Sequence, residues 1–152
     1  NNLPTYIANL HASSQYLEYK FNIYNQIVNI INNINENNIF FYGGNVEDAP
    51  LDFRLEDWSA TLNINKQSSQ KYTKSSIYPL KKWLESKIIK IPKDVADNDK
   101  IKTNYFGQFI VTRSKILKYK RSMYQEILKE ISVWQSEVNH YLERSWYALY
   151  SN

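Results

Sequence analysis

The sequence has no cysteine, three glycines, four prolines and two histidines, and each shortage excludes a class of chemistry. Without cysteine there is no disulfide framework, no thiol nucleophile and no thiolate zinc site, while the cellular compartment stays open. Gly43, Gly44 and Gly107 are the only glycines, so there is no glycine-rich phosphate loop and no Gly-x-Ser-x-Gly nucleophile elbow. Any histidine triad or histidine metal site would have to use His11 or His140 with remote partners. No apolar run approaches the roughly 20 residues that span a bilayer as a helix, and the opening residues do not read as a signal peptide. A dominant charge sign is also missing. Nineteen cations face fifteen acids for a net +4, with lysines mostly interleaved among acids, which favours a solvated surface over a nucleic-acid footprint.

What is present is a chain of 152 residues, 43% hydrophobic, with 13 Tyr, 6 Phe and 4 Trp. That length fits one domain burying about two-thirds of its unfolded surface. The best-specified stretch is Tyr105 to Leu117. Phe106, Phe109, Ile110 and Val111 suit an interior strand, whose two covered faces make it continuously apolar, and Thr112 or Ser114 can cap the helix that follows. Tyr6 to Leu10 and Ile39 to Tyr42 read as two further strands. Ile23, Ile27, Ile30, Ile31 and Ile34 recur at helical spacing. Pro79 suits the first turn of a helix carrying Leu80, Trp83, Leu84 and Ile88 and ending by Pro92. Ser122 and Gln125 fit a capping box ahead of a buried stripe of Met123, Ile127, Leu128 and Ile131. A last helix carries Val138, Tyr141, Leu142, Ser145, Trp146 and Leu149 on one face. The spacing therefore predicts an α/β domain of three strands with four helices packing on them. Asp94, Asp97 and Asp99 read as a polar loop, and residues 45–76 as the least regular third, a lid or a disordered segment.

Each candidate functional residue has a structural alternative. His11 follows a strand and can face a ligand, while His140 sits on an amphipathic helix and fits a solvated role. Glu47, Asp48, Asp52, Glu56 and Asp57 supply the carboxylate oxygens that Mg or Mn prefers, although surface solvation explains them too. Arg113 can hold a phosphate or carboxylate through its forked donors or simply start a helix. Glu143 beside the apolar stripe of the last helix is either a base or one half of a structural ion pair with the preceding strand.

Three separated blocks resemble a fungal and giant-virus family of unknown function with glycosyltransferase-like features. Asn2-Leu3-Pro4-Thr5-Tyr6-Ile7-Ala8-Asn9-Leu10-His11 is similar to its opening pattern. Gln108-Phe109-Ile110-Val111-Thr112-Arg113-Ser114-Lys115-Ile116, followed by Tyr124, is similar to its middle block. Tyr141-Leu142-Glu143-Arg144-Ser145-Trp146 is similar to its closing aromatic, Glu and Trp, displaced by one residue between aromatic and acid. The resemblance covers most of the chain. It implies the C-terminal part of a GT-A-like nucleotide-sugar transferase, with a central mixed sheet flanked by helices, whose nucleotide-binding strands lie upstream of Asn1. The implied reaction moves a sugar from a nucleotide-sugar donor to an acceptor hydroxyl, with Glu143 as catalytic carboxylate and His11, Gln108, Arg113 and Trp146 binding substrate. His11-Ala12-Ser13 stands where many GT-A enzymes carry a metal-binding acid pair, so a Mg or Mn cofactor is left open. The competing class is a non-enzymatic carbohydrate- or protein-binding module that uses Tyr and Trp as platforms. Single-stranded nucleic-acid binding is disfavoured by the spread charge and the lack of recognition-motif aromatics.

Overall fold

The computed structural model describes residues 6–8, 23–32, 40–41, 46–55, 73–87, 89–104, 109–133 and 136–151. In chain order the elements are β1 (Tyr6–Ala8), α1 (Ile23–Asn32), β2 (Phe40–Phe41), β3 (Glu47–Pro50), α2 (Leu80–Ser86), α3 (Lys93–Asn98), β4 (Lys100–Thr103), β5 (Phe109–Thr112), α4 (Arg113–Leu117), α5 (Arg121–Ile131) and α6 (Glu137–Tyr150). The mixed α/β class holds, with six helices among the described residues rather than four. The single mixed sheet does not. β1, β5 and β2 form one antiparallel sheet with β5 in the middle, and β3 and β4 form a separate antiparallel pair. The parallel pairing among the described residues is an isolated bridge between Thr73 and Ser136.

β5 is the interior strand that its unbroken apolar run predicts, with Phe109, Ile110, Val111 and Thr112 all buried. The rest of the expected strand, 105–108, lies outside the described residues. α4 starts at the expected place, but the Thr112 hydroxyl engages the Ser114 hydroxyl at 2.9 Å instead of capping an amide. The capping box at Ser122 is corrected as well. α5 begins at Arg121 after Lys120, which has no side-chain acceptor to offer.

The largest correction concerns residues 46–55 of the stretch read as irregular; 45 and 56–72 of it lie outside the described residues. β3 and the turn after it send Ala49, Leu51, Phe53 and Leu55 into the core, an alternation that places every second side chain on one face. Asp52 between them, and Glu47 and Asp48 before them, are exposed. Asp48 lies opposite Lys102 in the β3–β4 register, and both are exposed, so opposite charges reinforce the pairing. The supposed polar loop at 94–99 is α3 with β4 behind it, Ile101 and Thr103 facing in and Lys100 and Lys102 facing out. Asp99 ends α3 with φ of 50°, a left-handed conformation that Asp tolerates better than most residues. Its carbonyl accepts the Leu51 amide at 2.9 Å.

α6 is the axis of the core. Tyr141 is fully buried, 5.9 Å from Trp83 of α2 and 6.1 Å from Phe53 in an edge-on arrangement. The Arg144 guanidinium lies over the Phe53 ring, 3.9 Å from its centroid. Trp83 donates its indole N–H to Glu130 of α5 at 2.8 Å, and Lys87 pairs with the other oxygen of the same carboxylate. Those contacts fix α2, α5 and α6 around one apolar cluster. The expected buried stripe of α5 is narrower than predicted: Ile127 is buried and Leu128 is 59% exposed.

At the start of α6, Ser136 caps the helix by accepting the Val138 amide at 3.2 Å. The next residue, Glu137, is buried, and its two oxygens accept the amides of Leu55 at 2.9 Å and Ser75 at 2.8 Å. The chain on either side of residues 56–72 is therefore anchored to one carboxylate.

Candidate functional site: an aromatic pocket beside Glu143

β5, α4, α5 and α6 enclose a cavity of about 440 Å³, within the size range of small-molecule sites. The strand contributes Phe109 and Val111, α4 contributes Ile116, α5 contributes Tyr124, Ile127, Leu128 and Ile131, and α6 contributes Leu142, Trp146, Leu149 and Tyr150. The geometry follows from helix spacing. Leu142, Trp146, Leu149 and Tyr150 recur at intervals of three and four, so one flank of α6 carries all of them. Trp146 and Tyr150 lie nearly parallel with centroids 6.2 Å apart, and Phe109 stands 4.9 Å from the first and 5.7 Å from the second. These three rings make one aromatic wall.

The polar edge of the pocket is phenolic. Tyr124 donates its hydroxyl proton to the Ile116 carbonyl at 2.8 Å, and Tyr150 donates to the Tyr124 oxygen. Burial, chiefly, drives the Tyr150 phenol far above its ordinary value, and the bond it donates to Tyr124 adds to that. Burial also raises Tyr124, opposed by the hydrogen bond it receives. Both groups therefore stay protonated across the physiological range. A neutral phenol has one proton and two acceptor lone pairs. With both protons committed inside the protein, what this edge can offer a ligand is acceptor oxygens.

Of the residues expected in a site, Trp146 lines this pocket. Glu143 stands one turn before it on α6, next to the lining residue Leu142 but outside the lining. Arg113 opens α4 and is likewise outside the lining. His11 and Gln108 lie outside the described residues. Glu143 is not paired with the preceding strand through its carboxylate. That group meets the neighbouring Arg144 at 3.3 Å, while the Glu143 carbonyl accepts the Thr103 hydroxyl of β4 at 3.2 Å. Burial pushes the Glu143 carboxyl up to about 7, with the Arg144 charge and hydrogen bond opposing the rise. His140, one turn earlier, is pulled below its ordinary value, first by burial and then by the Arg144 charge.

Among the described residues the acidic candidates form no metal centre. Glu47, Asp48 and Asp52 are exposed, Glu56 and Asp57 lie outside the described residues, and no group of three metal-ligating side chains occurs among the described residues. Phe109, Tyr124 and Tyr150 were not expected in a ligand site. Only the Trp146–Tyr150 pair, four residues apart on one helix, is a local signal for the aromatic wall. No described helix is long and apolar enough to cross a membrane. No family model, no curated protein and no solved structure matches this chain.

Proposed function

We propose that the chain binds a small amphipathic molecule bearing a hydroxyl group, its apolar body against the Phe109–Trp146–Tyr150 wall and its hydroxyl donating to the phenol oxygens. The observation that carries this is the Tyr150-to-Tyr124-to-Ile116 hydrogen-bond chain, which uses up the proton of each phenol at the edge of an otherwise apolar cavity. This narrows the binding-module class to a chemical type of ligand. Matched probes test it. By calorimetry 2-naphthol should bind about 5-fold more tightly than 2-methoxynaphthalene, because the ether keeps the apolar body and loses the donated hydrogen bond, worth about 1 kcal/mol. Equal affinities would refute the acceptor edge. Absence of binding by either would refute the pocket.

A second function is favoured by the Glu143 carboxyl, which titrates near neutrality one turn from Trp146. In it, a hydroxyl that reaches Glu143 beside the pocket, distinct from the one held by the phenols, is the acceptor of a sugar, as the family resemblance implies. The Glu143 carboxylate takes the acceptor proton as the acceptor oxygen bonds to the anomeric carbon, and the bond from that carbon to the nucleotide diphosphate breaks with the electron pair leaving on the diphosphate. A carboxyl tuned close to the working pH suits a general base. A GT-A-like fold and any dependence on Mg or Mn belong to this proposal.

A further inference from the structure

The aromatic pocket has two chemically different ends, and they follow from how its two long helices run. α5 ends at Ile131 and α6 begins at Glu137, so only residues 132–136 join them, a connection short enough to turn one helix back along the other. The phenol bond fixes the sense. Tyr150, the last residue of α6, donates to Tyr124 near the start of α5. The helices are therefore antiparallel, and Ile131 and Leu142, nearer the connection, line the opposite end of the cavity. At 1.5 Å per residue, Tyr124 to Ile131 spans about 10 Å and Leu142 to Tyr150 about 12 Å.

Both hydroxyls of the lining lie at the first end, whereas the Ile131 and Leu142 side chains have no polar atom to offer. Of the described lining residues Leu128 alone is exposed, and it stands between the two ends on α5. The opening is therefore at mid-length, with a wall at each end. Resting on the binding function proposed above, we infer that the ligand carries its hydroxyl at one terminus and an unbranched apolar body reaching about 10 Å from it, and that Ile131 and Leu142 set that length. A body that fills the span covers each of its methylenes with apolar wall. A longer one gains no more, because further methylenes have no wall left to cover.

Calorimetry with alkylphenols tests this on the full chain. The oxygen and terminal methyl of 4-butylphenol are about as far apart as the two ends. It should bind about 15-fold more tightly than 4-ethylphenol, each buried methylene contributing about 4-fold, whereas 4-hexylphenol should gain less than about 2-fold more. The isomer 2-butylphenol has its chain beside the hydroxyl and should bind at least about 10-fold more weakly than 4-butylphenol, for want of a buried chain. Ile131 is half-buried in the last turn of α5, so Ile131→Phe should fold, which thermal melting checks. It shortens the cavity and should weaken 4-butylphenol about 10-fold with 4-ethylphenol unchanged. Ile131→Ala reads the same end in the other sense, by extending the gain to 4-hexylphenol. Equal binding of the two butyl isomers, a steady gain through 4-hexylphenol in the wild type, or Ile131 variants that leave the series unchanged overturns this inference and leaves the acceptor pocket standing. Saturable binding by none of these phenols refutes the pocket itself and this inference with it.

Discussion

Glu137→Ala is expected to lower the unfolding free energy by about 4 kcal/mol. The substitution strips the acceptor from two amides at once, those of Leu55 and Ser75. An amide left unpaired in the interior costs about 1–3 kcal/mol, and the lost negative charge in the first turn of α6 removes up to roughly 1 kcal/mol more. The Tm should fall by about 10 °C, since each kcal/mol moves a chain of this size by roughly 2–4 °C. Glu137→Gln should lose less, because its amide oxygen still accepts one of the two bonds. Chemical denaturation of both variants checks the order. A loss below about 1 kcal/mol for the alanine variant would mean that these amides find other partners.

Glu143→Gln is expected to act on stability and, if the chain transfers sugars, on turnover. The folded carboxyl titrates at about 7 against an ordinary value of 4.5, so between those values the folded protein holds a proton that the unfolded chain has released. Stability must then fall as pH rises through that window. The full difference would amount to about 3 kcal/mol. The side chain keeps 28% of its surface exposed, and solvent screening brings the expected loss to roughly 1–2 kcal/mol. Glutamine has no charge to lose but keeps an oxygen for Arg144, so the gap between wild type and variant should move in the variant's favour between pH 5 and pH 8. Parallel melts at the two values read this directly, and a pH-independent gap contradicts it. In a longer chain that includes the nucleotide-binding strands the resemblance implies, supplied with a nucleotide-sugar and an acceptor alcohol, the variant should also transfer about 100-fold more slowly, the scale of a lost general base, while acceptor binding stays unchanged. Absence of transfer by the wild type ends the transferase proposal and leaves the binding proposal standing.

The parts of the fold legible in the sequence are those where one local pattern is enough. The unbroken run Phe109-Ile110-Val111 marks the interior strand, and Leu80, Trp83 and Leu84 mark the buried face of α2. The alternation Ala49, Leu51, Phe53, Leu55 was equally present in the chain. Asp52 within it and the acids around it read more readily as a loop or a cation site, although outward charges are what a half-buried strand should carry. β4 is different. Lys100-Ile101-Lys102-Thr103 is short and half charged, and only its pairing with β3 makes it a strand. The site divides in the same way. Trp146 is visible as part of a helix stripe, whereas Phe109 meets Trp146 and Tyr150 through contacts some forty residues apart in sequence, which no window of local spacing reports. Leu128 falls outside the core for a related reason: it belongs to the pocket lining.

The most direct test of the ligand-binding account is a nuclear magnetic resonance titration with 2-naphthol that follows the tryptophan indole N–H signals. Trp146 belongs to the pocket wall, while Trp83 is outside the lining, fully buried and hydrogen-bonded to Glu130. The account predicts a saturable shift of the Trp146 signal with Trp83 unmoved. A Trp146 signal that stays in place, or both signals moving together, would contradict it.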